Sequence, residues 1–147
     1  MKINFEIREV SHENLVNLFS TALYGNNKWC ADYDVDTYLK CDGAEKNECL
    51  EDKLARMLLN GYPVQISDMY AEDETDFHGE LKHRYDKENC CMDYDVYMSD
   101  IIAGLKKACD KGESVKVLDL ANEPENLDMW DADILLQYIV FGDYIYD

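Results

Sequence analysis

Positive charge is what this chain has least of. Fourteen Lys and Arg stand against thirty-two Asp and Glu in 147 residues, for a formal net charge of −18. That balance excludes direct nucleic-acid binding, which draws its affinity from cations on phosphates. It also disfavours anionic membrane surfaces. Long apolar runs are missing too: no stretch reaches the roughly 18 uncharged apolar residues of a transmembrane helix. Met1-Lys2-Ile3-Asn4-Phe5-Glu6 alternates polar and apolar residues, with no basic patch before an apolar run. No secretory signal is therefore expected, and the expected compartment is the cytoplasm. Neither Gly-x-Ser-x-Gly, a phosphate-binding loop, Gly-x-Gly-x-x-Gly nor His-Glu-x-x-His occurs, so the chain is not read as an enzyme. No repeat, linker or low-complexity segment breaks it up.

What is present is enough for a core. Hydrophobic residues make up 47% of the chain, with eleven Tyr, four Phe and two Trp. Disorder needs low hydrophobicity together with high charge, so a folded chain is expected. Its length predicts one domain spanning 1–147.

The sequence predicts a half-buried strand over 2–10, with Ile3, Phe5 and Ile7 on one side. Ser11 then caps a helix carrying Leu15, Leu18, Phe19, Ala22 and Leu23, which Gly25 ends in a left-handed turn. Residues 26–46 fit a short helix or a strand. A second helix spans about Glu48 to Asn60, stopped by Gly61 and Pro63. Val64–Asp68 reads as a strand, 71–80 as an acidic loop, and 81–85 and 93–98 as strands joined through Lys87-Glu88-Asn89. A third helix starts near Ser99 or Asp100 and stops at Gly112. Ser114–Leu120 reads as a strand through Val115 and Val117. A last helix starts near Asp128 or Asp131, carries Ile134, Leu135, Tyr138 and Ile139 inward, and ends at Gly142. Tyr144-Ile145-Tyr146 suits a terminal strand. Strands clustered between helices predict an α+β domain, a mainly antiparallel sheet packed against three to four helices.

Six cysteines sit at 30, 41, 49, 90, 91 and 109. A reducing compartment keeps them as free thiols, with Cys49 and Cys109 expected as small core residues. Asp32-x-Asp34-x-Asp36 opens like a calcium loop, but Thr37 and Gly43 stand where that loop needs Gly and Glu. His78-x4-His83 and Cys90-Cys91 offer zinc donor types without the Cys-x2-Cys knuckle. No metal and no cofactor is expected. Cys90 or Cys91 beside His83 would be the components of a thiol site. A metal-binding or thiol-dependent small enzyme is therefore the alternative to a binding role.

The acid is clustered. One run is Asp32, Asp34 and Asp36. A second is Asp68, Glu72, Asp73, Glu74, Asp76 and Glu80. Lys116 is the last basic residue, and after it come Asp119, Glu123, Glu125, Asp128, Asp131, Asp133, Asp143 and Asp147. The functional reading is a surface whose carboxylates stand in for phosphates and dock on a basic protein. Its candidate contact residues are Asp32, Asp34, Asp36, Glu72, Asp73, Glu74, Asp76, Glu123, Glu125, Asp128, Asp131 and Asp133. Strand and helix repeats of about 6.8 and 5.4 Å do not match the ~1.7 Å charge spacing of a duplex, so mimicry must combine several elements. The plainer reading is a soluble acidic surface. The abundant Tyr beside carboxylates suit either an interface or a core. A homodimeric interaction module using the Tyr-rich C-terminus is a further alternative.

Two segments carry a resemblance: Cys49-Leu50-Glu51-Asp52-Lys53-Leu54-Ala55 through Leu58-Leu59-Asn60-Gly61, and Asp131 through Gly142. They resemble small acidic proteins of phages and mobile elements in Gram-positive bacteria. The resemblance covers under a fifth of the chain. It implies an inhibitor of the anti-CRISPR or anti-restriction type, acting on a bacterial defence nuclease by occupying its nucleic-acid groove. It carries over no functional residue.

Overall fold

The computed structural model describes residues 10–25 and 27–147. The strand expected over 2–10 lies outside the described residues, apart from Val10, which is buried. Four strands, β1 (Trp29–Asp32), β2 (Val64–Asp68), β3 (His83–Asp86) and β4 (Cys91–Val96), form a sheet of order β1-β2-β4-β3. Every pairing is antiparallel, as expected. The described helices are α1 (His12–Tyr24), α2 (Val35–Tyr38), α3 (Leu50–Leu59), α4 (Met98–Asp110), α5 (Ser114–Asn122) and α6 (Met129–Phe141), with a 3-10 turn at Pro124–Asn126. The architecture is α+β.

Local chemistry sets the helix ends. Ser11 Oγ accepts the Asn14 N–H at 3.0 Å, and Asn14 Oδ1 accepts the Ser11 N–H at 3.1 Å, a reciprocal cap for α1. Asp128 Oδ1 accepts the Asp131 N–H at 2.8 Å and caps α6. Gly142 ends α6 at φ 73, the left-handed stop expected of it. Gly25 does not do the same. Its φ is −90, and a Cβ there would lie 2.5 Å from Met129 Cβ. It is small so that α6 can start against the end of α1.

Two further expectations need correction. Ser114–Leu120 is helical, within α5, with Val117 and Leu120 buried and Val115 exposed. The spacing of three, not the alternation of Val115 and Val117, faces the core. Residues 144–146 form no strand. Gln137 holds them instead: its Oε1 accepts the N–H groups of Ile145 (2.9 Å) and Tyr146 (2.8 Å), and its Nε2 donates to the Tyr146 carbonyl (3.0 Å). A fully buried side-chain amide thus satisfies the backbone that a strand partner would have paired. The ambiguous 26–46 segment contains both a strand, β1, and the one-turn helix α2. Cys49 is the exposed N-cap of α3, not a core residue, while Cys109 is half-buried against the core.

One face of the sheet and the helices share the core. Trp29, Val64, Ile66, Met92, Tyr94 and Val96 pack with Leu15, Leu18, Phe19, Leu54, Met57, Leu58, Ile101, Leu135 and Leu136. Each full burial stabilises by about 1.5–3 kcal/mol. Helix α6 packs on α1 and α4. At the α4 crossing, a Cβ on Gly104 would come 2.3 Å from Ile139 Cα and 2.7 Å from Ile139 N. The obstacle is backbone, which has no rotamer to yield. Gly104→Ala is expected to destabilise by about 1–3 kcal/mol. The check is a lower urea midpoint at unchanged slope.

The opposite face of the sheet is polar. Register places Cys30, Ser67, Asp93 and Arg84 in one row across it, and pairs Asp86 with Cys91 beside that row.

Candidate docking surface

The three acidic runs occupy different places. Asp32, Asp34 and Asp36 are exposed. Asp32 pairs with Gln65, at the start of β2, whereas Glu72, Asp73, Glu74 and Asp76 follow the other end of β2, beyond Asp68. The register therefore sets these two runs at opposite ends of the β1–β2 pair. Several of their carboxylates also serve local folding. Asp34 caps α2 through the Thr37 N–H at 3.2 Å. Asp73 accepts the Thr75 hydroxyl (2.6 Å) and N–H (2.9 Å), which hold its carboxyl below the usual range. Asp76 accepts the Glu72 N–H at 3.0 Å.

The third run builds a patch from three consecutive elements: the end of α5, the 3-10 turn and the first turn of α6. Glu123, Glu125 and Asp128 are exposed there and Asp131 is half-buried. Burial pushes the Asp131 carboxyl up, and the charges of Asp128 and Asp119 push it further. Asp128 and Asp119 are therefore each close enough to act on Asp131. Lys116 lies among them; its ammonium is raised first by a hydrogen bond to Glu113, with Asp131 and Asp128 also contributing.

Within this acid sits an apolar surface that was not among the sequence-predicted contact residues. Trp130 is 63% exposed, and Met129 beside it is partly exposed over the end of α1. Tyr24, the last residue of α1, is also exposed, and its hydroxyl donates to Glu51 at 2.9 Å. The helical period carried no signal for Trp130. From Ala132 onward α6 is buried on nearly every side, including Gln137 and Phe141 on the same face as position 130. Trp130 is exposed in the first turn, ahead of that packing. An exposed Trp within a polar rim is the composition of an interface hot spot.

Asp133 does not belong to this surface. It is 3% exposed, and its carboxylate accepts from Lys28 Nζ (2.7 Å), Trp29 Nε1 (2.7 Å) and Gln137 Nε2 (3.2 Å). Lys28, also buried, places its ammonium 5.5 Å from the Tyr70 ring and 5.6 Å from the Tyr146 ring. Tyr146 in turn donates to the buried Asp68 at 2.8 Å, and burial pushes that carboxyl up. Asp133 is thus the centre of an internal network joining α6, β1 and the C-terminal segment.

Of the components of a thiol site, Cys91 and His83 are not brought together. Cys91 pairs with Asp86, while His83 pairs with Tyr94, on the other face of the sheet. The Cys91 thiol is pushed up to about 12 by burial, by its contact with Asp93 and by the Asp86 charge. It is protonated at neutral pH and a poor nucleophile. His78 and His83 take different ring partners: His78 packs edge-on to Phe141 and Tyr146, and His83 stacks on Phe77. Among the described residues, the Asp32–Asp36 run forms no group of three metal-ligand types. Among the described residues, the one group of three metal-ligand types within reach of each other is Asp86, Cys91 and Asp93. The sequence reading passed over it because Asp86 and Asp93 meet only through the strand register. No helix among the described residues is long and apolar enough to cross a membrane. No family model, curated protein or solved structure matches the chain.

Proposed function

We propose that this protein is a non-enzymatic docking protein that sets its acidic helical patch on the basic nucleic-acid channel of another protein. The target class that fits best is a bacterial defence nuclease, which the docked chain would inhibit by excluding its nucleic acid. The observation that carries this reading is the exposed Trp130 on the same helix start as Asp128 and Asp131. Carboxylates steer encounter with a cationic surface, and the aromatic anchor slows dissociation. A carboxylate array also presents what phosphates present, negative oxygens at a rigid surface, without a base or sugar to cleave. No Lys or Arg follows Lys116 in the sequence, and the Lys116 ammonium, which lies near Asp128 and Asp131, is hydrogen-bonded to Glu113.

The test is capture of partners from a bacterial lysate with the immobilised chain, at about 0.05 M and about 1 M salt, where the screening length falls from over 10 Å to about 3 Å. A nuclease retained at low salt and released at high salt is the expected result, followed by loss of its cleavage activity when the chain is added. Retention that ignores salt, or a captured nuclease whose activity is unaffected, counts against the proposal.

A further inference from the structure

The polar face of the sheet holds a second arrangement, independent of the docking patch. We propose that Asp86, Cys91 and Asp93 form a binding site for a divalent cation of borderline softness, Zn²⁺ in particular.

The geometry comes first. One donor atom from each of the three residues lies within 4.8 Å of the other two. Ligand atoms around Zn²⁺, at about 2.0–2.3 Å from the metal, stand roughly 3.3–3.7 Å apart, so closure needs about 1 Å of side-chain movement. The register supplies the frame: Asp86 faces Cys91 across β3 and β4, and Asp93 follows Cys91 by two residues on the same face. A cavity of about 290 Å³ opens over the group, and Cys30 and Met69 line it as well. Additional soft donors therefore border the same space.

Asp93 closes the group from its buried side. Asp93 is 6% exposed. Its Oδ1 accepts from Ser67 Oγ at 2.6 Å and contacts Cys91 Sγ at 3.4 Å. Its Oδ2 forms an ion pair with the Arg84 guanidinium at 3.6 Å. The oxygen that faces Cys91 is therefore Oδ1, which Ser67 holds in position to share a ligand with the thiol.

The supporting contacts match those of a metal site. Asp86 accepts the Glu88 N–H (3.0 Å), the Asn89 N–H (3.1 Å) and Asn89 Nδ2 (2.8 Å), which fix its carboxylate in the hairpin turn. Ser67 does the same for Asp93. Outer hydrogen bonds of this kind orient ligands. A thiol among the donors selects Zn²⁺ over Ca²⁺ or Mg²⁺, which take oxygen. Three protein ligands leave an open fourth position. On binding, the Cys91 S–H bond breaks, the sulfur lone pair goes to the metal and the proton to solvent.

The experiment uses the full chain, reduced and stripped with a chelator, titrated with Zn²⁺ by calorimetry and with Co²⁺ by absorption. One equivalent per chain and a thiolate-to-cobalt charge-transfer band are expected. The band should persist in Cys90→Ser, vanish in Cys91→Ser, and need at least about tenfold more Co²⁺ in Asp86→Asn. Asp86 lies at the edge of the hairpin turn, so that variant tests the site should Cys91→Ser fold poorly. Thermal unfolding of each metal-free variant reports its folding. No binding by the wild-type chain, or binding that Cys91→Ser and Asp86→Asn both leave unchanged, overturns the proposal.

Discussion

Asp133→Ala is expected to lower the unfolding free energy by about 3–5 kcal/mol, the range for breaking a buried ion pair. For a chain of this length that corresponds to a fall in Tm of roughly 10 °C. The substitution takes away three hydrogen bonds at once, from Lys28, Trp29 and Gln137, all buried. The loss spreads, because Gln137 also holds the backbone of Ile145 and Tyr146. Asp133→Asn keeps an acceptor for Trp29 Nε1 but not the negative charge 2.7 Å from the Lys28 ammonium. It should fall between the wild type and Asp133→Ala. Pairing Asp133→Leu with Lys28→Met removes both charges, and isosteric apolar replacement of buried pairs is often close to neutral. The double variant should therefore be more stable than Asp133→Ala alone. Denaturation in urea with matched slopes measures all three. A loss under about 1 kcal/mol for Asp133→Ala would mean that the carboxylate faces water, as a docking residue would.

Asp133 also shows what could and could not be read from the sequence. Helix α6 was legible from Ile134, Leu135, Tyr138 and Ile139. An Asp inside that apolar stripe looked like one more surface carboxylate in an acidic segment. Its burial depends on Lys28 and Trp29, more than a hundred residues away, and a cation that distant leaves no local pattern. The same limit hid the Asp86, Cys91 and Asp93 group, which register assembles. It also hid the C-terminal segment, where aromatic alternation suggested a strand but Gln137 supplies the partner. Elements with a strong own period were legible: α1, α3, β2, α4 and α6. The β3–β4 hairpin was legible as a pair of strands, with β4 lying at Cys91–Val96, two residues ahead of the expected 93–98. Helix α5 was not, because Val115 and Val117 mimic alternation over a stretch too short for the spacing of Val117 and Leu120 to outweigh it. Of the acidic residues after Lys116, the exposure of Glu123, Glu125 and Asp128 was legible, whereas that of Trp130 beside them was not.

Trp130→Ala is expected to raise the Kd for the captured partner by about 30-fold or more, since an interface hot spot is worth at least about 2 kcal/mol. Trp130 is 63% exposed, so removing it should leave Tm within about 2 °C, and the loss is one of contact, not of fold. The effect should fall on dissociation, leaving the salt dependence of association intact. Reversing Glu125 and Asp131 to Lys should do the opposite, slowing association and flattening its dependence on salt. Asp128 is left in place because it caps α6, and losing the cap would mix a stability effect of about 1 kcal/mol into the result. Asp32 and Asp36 provide the contrast. They are also carboxylates, both exposed, and lie on and just beyond edge strand β1. Their reversal changes net charge by the same amount as the Glu125 and Asp131 pair. If docking is local to the start of α6, this second pair should alter Kd by no more than about threefold. Equal losses from both pairs would mean that the partner responds to total charge, and a Trp130→Ala variant that binds like wild type would remove the start of α6 from the interface. Stopped-flow association across a salt series, with dissociation measured separately, resolves these outcomes, because the anchor and the steering charges act on different rate constants.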